Sequence, residues 1–328
     1  MTVTGSITLV RITAAVVCVF GAGVLAYEFF RYLAVLPGDA AAAIALELPL
    51  VAIGCWIAGR LRPVHAPPLI WSAAAIVWGA AAATGCALLA NEGLSGLWAK
   101  SAGPAFAANW AASLTAPLNE EVLKACGVVL VVLAAPLVIR GPLDGMVIGA
   151  LVGLGFQAAE NVTYGLNAVA LGGAVDPARS VLGSAGYRIG VTGLGSHWAM
   201  TAVAGAGVGY LVRRGRAGLP AAVACLLTAM AMHLLFDAPF VLLYAKVGLN
   251  LVVVAALYLT LRRGYGARSR GFLADQVAAG LLTRPEAADL ASRRRRRRAL
   301  WRAERGPERE QLRAHQQRVL AGLDAAAA

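Results

Sequence analysis

Long blocks of apolar residues, broken by short polar stretches, run through most of the chain. A helix needs about 20 apolar residues to cross a bilayer, so the pattern predicts eight membrane spans. Turn-forming or charged sequences separate several of them, among them PGD at 37–39 and RGPLD at 140–144. The predicted spans lie at about 8–30, 40–60, 68–90, 120–140, 144–168, 189–212, 218–243 and 246–262.

The segment 91–118 does not follow this pattern. It mixes apolar residues with Trp98, Lys100 and Trp110, and tryptophan and lysine are frequent where a membrane meets water. The mixture predicts an interfacial loop or a helix that lies on the membrane surface. The fourth span would then begin near residue 120.

Composition supports a membrane protein. The chain is 59% hydrophobic and 14% charged, with a mean hydropathy of +0.69, whereas soluble domains carry about a quarter charged residues. The five cysteines are scattered singly through apolar segments, which predicts neither a disulfide framework nor a thiolate metal site. The expected fold class is an all-α polytopic membrane protein, with about eight transmembrane helices and a short basic helical cytoplasmic tail.

The net charge of +12 is concentrated near the C-terminus, where residues 262–328 hold 16 Lys+Arg and 7 Asp+Glu. This imbalance predicts a multi-span membrane domain at 1–262 and a basic tail at 263–328. With the N-terminus inside, the loops carrying Arg60, Arg140 and the cluster at 213–216 also fall on the cytoplasmic side. Because cytoplasmic loops are enriched in Lys and Arg, we expect a plasma-membrane protein with both termini in the cytoplasm.

The tail contains two short amphipathic helical patterns around a Gly-Leu-Leu-Thr turn, which predicts a hairpin-like segment. Thr283 and Glu286 have the spacing of a capping box. The run Arg293–Arg298 can bind anionic lipid or nucleic acid. Lipid is favoured beside a membrane domain, and nucleic acid is not expected because Trp301 is the only aromatic residue nearby.

Ionisable residues inside apolar spans are functional-site candidates. The fourth span carries Glu120, Glu121 and Lys124, and the fifth carries Glu160. The sixth carries His197 as its only ionisable residue within the apolar part, and the seventh carries His233 and Asp237, four residues apart on one helix face. With the N-terminus inside, all of these residues fall in the outer half of the membrane, so we expect them to converge.

Imidazole and carboxylate groups are the usual nitrogen and oxygen ligands of a zinc-type ion. Glu160, His197 and His233 would supply three ligands, and Asp237 would complete the shell or orient an imidazole. Glu120 or Glu121 would deprotonate a water molecule, and these residues and Lys124 are the candidate catalytic group. The sequence thus predicts a hydrolytic site that uses a divalent metal such as zinc.

The ordered motifs EExxK (Glu120, Glu121, Lys124), FxxxE (Phe156, Glu160), a lone His197 and HxxxD (His233, Asp237) resemble the PrsW family. These multi-span intramembrane proteases are grouped with the CAAX prenyl protease and bacteriocin-processing (CPBP) membrane proteins. The resemblance covers a core at about 115–240.

The resemblance implies a metal-dependent endopeptidase that cleaves a single-pass membrane protein, such as a membrane-anchored anti-sigma factor, near the extracytoplasmic face. It also points to Glu120 as the base, which spacing alone does not separate from Glu121. Metal-free activation of water by a glutamate is an alternative mechanism within this resemblance.

Two other classes of function stay open at this level. Buried carboxylates and histidines also form proton relays, so a proton- or ion-coupled transporter is the main alternative. Transporters with inverted repeats place their site near the midplane, and this chain shows no internal repeat. An inactive membrane scaffold is a further alternative, which the completeness of the motif set argues against.

Overall fold

The computed structural model describes residues 3–62, 65–303 and 306–327, and every regular element among them is a helix. The all-α prediction is therefore confirmed. The helices are α1 (Val3–Val35), α2 (Pro37–Leu61), α3 (Leu69–Val77), α4 (Thr84–Ala102), α5 (Pro104–Ala134), α6 (Pro142–Leu171), α7 (Pro177–Gly190), α8 (His197–Arg214), α9 (Leu219–Asp237), α10 (Leu243–Ala278), α11 (Arg284–Leu290), α12 (Arg293–Arg302) and α13 (Pro307–Ala327). A π-helical segment, Trp78–Ala83, joins α3 to α4 without a break.

Six helical stretches of the described chain are long and apolar enough to cross a membrane. The predicted number of eight is not reached on this criterion and stays a prediction. One of the six stretches, Pro177–Asp237, contains both α8 and α9. A short 3-10 turn at Gly215–Gly218 reverses the chain between these two helices, and each has about the length of one crossing.

The fourth span differs most from expectation. Residues 104–134 form the single helix α5, so Glu120 lies in its middle rather than at its start, and 91–118 is not a loop. The polar side chains of this region face one another: Asn119 Nδ2 donates to Asn91 Oδ1 at 2.7 Å, and Asn91 Nδ2 donates to Glu120 Oε1 at 2.9 Å. These hydrogen bonds between α4 and α5 allow the segment to be polar and helical at once.

Helix α6 is the centre of the bundle. In its apolar stretch 89% of the residues are buried, against 11–44% in the other candidate spans. It packs antiparallel on α8 through glycines spaced four residues apart. A Cβ added at Gly145 would lie 2.2 Å from the Gly205 carbonyl oxygen, and one at Gly153 would lie 2.3 Å from the His197 carbonyl oxygen. Small residues at this spacing allow two membrane helices to approach closely, and here they bring the start of α8 against α6.

The C-terminal region packs against the membrane domain. The predicted boundary between the membrane domain, which ends at 262, and the tail, which begins at 263, lies inside α10. The predicted capping box of Thr283 and Glu286 is confirmed at the start of α11. In α13, Leu320 and Leu323 are buried in the same apolar cluster as Met146 of α6.

An ion-pair network around Asp324 holds α13 in place. Asp324 Oδ2 lies 2.8 Å from Arg140 Nη1 and 2.9 Å from His65 Nδ1, while Tyr265 donates its hydroxyl to Oδ1 at 2.5 Å. Burial alone raises the pKa of Asp324, but these donors outweigh burial and lower the pKa to about 2. The carboxylate thus stays ionised while docked.

Candidate active site

Three charged side chains lie buried in the middle of α5. Lys124 Nζ is 2.6 Å from Glu121 Oε1 and 3.4 Å from Glu120 Oε2. Glu121 and Lys124 have no exposed surface, and Glu120 is 3% exposed. Burying a charge in a membrane protein is costly unless it is paired, so this mutual pairing lowers the cost of placing three ionisable groups inside the bundle.

Two histidines face this group from α8 and α9. Their ring centroids lie 5.1 Å apart, with the rings edge to face. His197 Nδ1 is 3.0 Å from Lys124 Nζ, and His233 Nδ1 is 3.0 Å from Glu121 Oε1. The antiparallel hairpin of α8 and α9 explains the meeting, because it places the first residue of one helix beside the last turns of the other.

The remaining predicted residues contact the other nitrogen of each imidazole. Glu160 Oε2 is 2.9 Å from His197 Nε2, and Asp237 Oδ2 is 3.3 Å from His233 Nε2. All seven residues singled out in the sequence therefore lie in one cluster. They share one layer of the bundle, late in α6 and α9 and at the start of α8.

A hydrogen-bonded turn fixes the imidazole at the start of α8. Ser196 Oγ donates to Gln157 Oε1 at 2.7 Å, and Gln157 Nε2 donates to the Gly193 carbonyl at 3.3 Å. From α10, Asn250 Nδ2 donates to the Gly195 carbonyl at 2.7 Å. Both amide side chains are buried, so α6 and α10 together set the position at which α8 begins.

The π-helical segment similarly positions α5. The indole of Trp78 donates to the Leu123 carbonyl at 2.9 Å, one residue before the buried lysine. A Cβ added at Gly127 would lie 2.2 Å from the same indole ring. This close contact between the indole ring and α5 fixes the position of α5 along the π-helical segment.

A chain of polar contacts extends from the cluster toward α7 and α2, and sequence reasoning missed most of it. Arg188 pairs with Glu160, and its Nε donates to Asn161 Oδ1 at 2.8 Å. Asn161 Nδ2 in turn donates to Glu47 Oε2 at 3.1 Å. The signal available in the sequence was the charged residue Arg188, in the last turn of the helix before the turn that leads to His197. The sequence alone does not show which residue Arg188 pairs with.

Two further donors were also missed. Asn91 holds Glu120 Oε1, as described above, and Thr201 Oγ1 donates to Glu121 Oε2 at 3.4 Å. Thr201 lies one turn after His197 on α8, and a threonine at that spacing was a signal. Asn91 gave none, because the region around it was expected to leave the bundle.

These contacts distinguish the two glutamates. Both oxygens of Glu121 accept hydrogen bonds, from Lys124 and His233 on one side and from Thr201 on the other. Glu120 Oε2 instead faces the imidazoles at 3.8 Å from His233 Nε2 and 3.9 Å from His197 Nδ1. Glu121 is therefore a fixed structural partner, whereas Glu120 presents an oxygen to the space between the two rings.

Among the described residues, Glu120, His197 and His233 form a group that could hold a metal ion, with one ligand atom from each lying within 4.8 Å of the others. Two imidazoles and a carboxylate suit a zinc-type ion. Glu160 and Glu121 lie on the opposite ring nitrogens, where carboxylates commonly orient ligating histidines. The donor chemistry therefore fits a metal, although Lys124 Nζ already lies against one of the same nitrogens. Glu160 and Asp237 as direct ligands stay a prediction.

The fold and site define a class: a helical membrane protein with a buried cluster of carboxylates and imidazoles suited to hydrolysis. The sequence model of the PrsW family intramembrane metalloproteases matches residues 67–261, more than half of the chain. The chain belongs to this family, as its motifs predict, and the match extends beyond the core at 115–240. No match to a curated protein or to a solved structure was found.

Proposed function

We propose that the chain is an intramembrane endopeptidase that cleaves a single-pass membrane protein near the extracytoplasmic face. The observation that carries the proposal is the meeting of Glu120, His197 and His233 inside the bundle of a PrsW family member. We also propose a plasma-membrane location, eight crossings and both termini in the cytoplasm. These rest on the Lys and Arg distribution and on hydropathy.

In the proposed reaction, Glu120 Oε2 accepts a proton from water as the water oxygen attacks the scissile carbonyl carbon. The proton then passes to the amide nitrogen as the carbon–nitrogen bond breaks, so that an acid and an amine are released. Glu120 is suited to this role because its Oε2 faces both imidazoles without a short hydrogen bond to either.

The other residues of the cluster position the imidazoles and stabilise the charge that develops in the reaction. Lys124 supplies a fixed positive charge toward the negative charge that develops on the carbonyl oxygen. Glu121 and Glu160 orient the two imidazoles, and Asp237 restrains His233 from the partly exposed side. A divalent ion such as zinc would be held by the His197 and His233 nitrogens that face Glu120, and it would polarise the carbonyl and favour deprotonation of water, with Glu120 Oε2 kept as the base.

The substrate that we propose is a membrane-anchored protein of the anti-sigma-factor type, and the proposed wider grouping is with the CPBP membrane proteins. Both proposals rest on the motif resemblance. The site supports a substrate that enters from the membrane, because the catalytic groups are buried among helices rather than placed in a loop.

Comparison of membrane proteomes tests the function. Cells producing the wild type should accumulate cleaved single-pass proteins, and cells producing Glu120→Gln should accumulate the same proteins intact. Glu28→Gln is a matched control, since Glu28 is an exposed carboxylate in the apolar helix α1. Normal cleavage by Glu120→Gln at equal protein level would refute the proposal.

Elemental analysis of purified protein tests the metal separately. We expect one zinc-type ion per chain in the wild type, and its loss in His197→Ala and in His233→Ala. An active wild type without metal would support activation of water by Glu120 alone.

A further inference from the structure

A basic cleft lies between α2 and α12, away from the candidate active site. It has a volume of about 800 Å³, within the range of small-molecule sites. Five arginines and two tryptophans line it, and none of its described lining residues is acidic: Arg60, Arg293, Arg294, Arg297, Arg298, Trp56 and Trp301.

The cleft lies at the level where an apolar helix ends. Helix α2 is a candidate span that finishes at Leu61, and Arg60 stacks over the Trp56 ring with its guanidinium carbon 3.7 Å from the ring centroid. Tryptophan and arginine in this position are typical of the membrane–water interface, where lipid phosphates lie. The arginine run joins this level directly, because Arg293 Nη1 donates to the Gly59 carbonyl at 2.9 Å.

The arginines crowd one another. Arg293–Arg298 occupy the first six positions of α12, where the helix dipole is positive and disfavours cations. Burial, together with the nearby charge of Arg60, lowers the pKa of the Arg293 guanidinium. An anion in the cleft would relieve this repulsion and would also meet the positive end of a helix.

The surface next to the cleft is apolar. On α2, Trp56, which lines the cleft, is 59% exposed, and Leu48, two turns before the cleft residue Cys55, is 64% exposed, so an apolar strip continues from the cleft toward the membrane interior. A free phosphate would leave this strip uncovered, whereas an acyl chain would lie along it. This continuity distinguishes a lipid from a soluble anion.

We propose that the cleft between α2 and α12 binds the phosphate of an anionic phospholipid, with an acyl chain along Trp56 and Leu48. The bound lipid would bridge the membrane domain and the C-terminal helices. This inference is independent of the proposed peptidase activity.

Titration of the full-length protein in nanodiscs tests the proposal. Phosphatidylglycerol is added at increasing fractions to phosphatidylcholine with the same acyl chains, and retained lipid is counted by native mass spectrometry. Thermal stability is followed in parallel, since a ligand of the folded state raises it. The test variant is Arg297→Gln/Arg298→Gln, and the matched control is Arg313→Gln/Arg318→Gln, which removes two arginines from α13, outside the cleft.

We expect one or a few phosphatidylglycerol molecules to be retained by the wild type and by the control. The cleft variant should need a phosphatidylglycerol fraction about 30-fold higher to retain the same amount of lipid, because it lacks the attraction that two arginines contribute near an anionic surface. Its helix content should equal that of the wild type, which shows that it folds.

Other outcomes would overturn the proposal. Equal retention by all three proteins would show that the cleft is not the site. Saturation by inorganic phosphate in lipid-free detergent, with no further gain from phosphatidylglycerol, would assign the cleft to a soluble anion. Displacement of the lipid by a short single-stranded DNA, dependent on the same two arginines, would favour nucleic acid.

Discussion

The contact between α6 and α8 allows a sharp test of how the fold positions the site. In Gly153→Ala, the new methyl carbon would lie 2.3 Å from the His197 carbonyl oxygen, whereas ordinary contacts begin at 3.4 Å. The two helices must therefore separate locally by about 1 Å. His197 would move with its backbone and lose the short contacts to Lys124 and Glu160, which are 3.0 and 2.9 Å long.

The expected effects follow from this shift. Overpacking costs about 1–3 kcal/mol of stability, and a misplacement of about 1 Å in a catalytic group can lower the rate by about 100-fold. The assay is cleavage of an identified substrate in membranes, normalised to protein level, with thermal unfolding of the purified variant measured alongside.

Substitutions at two other glycines of α6 distinguish a loss of stability from a loss of His197 positioning. Gly145→Ala meets the Gly205 carbonyl oxygen at 2.2 Å, but its clash lies eight residues from Gly153, about 12 Å along the helix. It should destabilise comparably and reduce cleavage much less. Gly165→Ala meets only the Ala43 methyl at 3.8 Å and should be neutral. If Gly153→Ala kept full activity and stability, the role assigned to this helix contact would be wrong.

Three further predictions concern residues that hold the cluster or the tail. Arg188→Gln should lower cleavage by about 10- to 100-fold, because Glu160 loses a charged partner, and Arg188→Lys should recover part of it. Asn91→Ala should lower cleavage by about tenfold, because Glu120 Oε1 loses its donor. Asp324→Asn should raise the rate of limited proteolysis of α13 by about two orders of magnitude, since removing one partner of a buried ion pair costs about 3 kcal/mol. In the wild type this contribution should be complete above pH 3.8, the ordinary pKa of an aspartate, and should disappear as pH falls toward 2, because docking lowers that pKa.

Exposed residues serve as controls for these variants, and for Arg188 and Asn91 the control lies on the same helix. Arg179→Gln on α7, Glu92→Gln on α4 and Asp275→Asn on α10 each alter an exposed side chain, and each should behave as the wild type. Cleavage by Asn91→Ala at the wild-type rate would remove Asn91 from the site. Proteolysis of Asp324→Asn at the wild-type rate would show that apolar packing alone holds α13.

The sequence predicted the members of the site better than their contacts. Charged residues inside apolar segments are rare enough to stand out, so His197 and His233 could be selected from the order of residues alone. Their pairing depends on which helices touch and at what height. Spacing along one helix cannot supply that information, and it gives no sign that Arg188 pairs with Glu160.

The misplaced start of the fourth span has a related cause. Hydropathy measures apolarity along the chain, and a helix with a buried polar face appears interrupted where Asn119, Glu120 and Glu121 occur. Those residues form hydrogen bonds with groups on α4, α8 and α9. The hydropathy of one segment carries no information on contacts with other helices, so it predicts that the span begins near residue 120, where these contacts occur.

The buried cluster of charged residues around Lys124 also has a consequence for electroneutrality. Its carboxylates are Glu120, Glu121, Glu160 and Asp237, and its fixed cations are Lys124 and Arg188. Glu47 is left out because it contacts the cluster only through the Asn161 amide. With ionised carboxylates and neutral imidazoles, the formal charges of these six groups add up to −2. A bound cation or protonated imidazoles would offset this negative excess, which is costly inside a bilayer. The same count indicates that replacing Lys124 with a neutral residue would unbalance the site by one charge, whether or not the lysine takes part in the reaction.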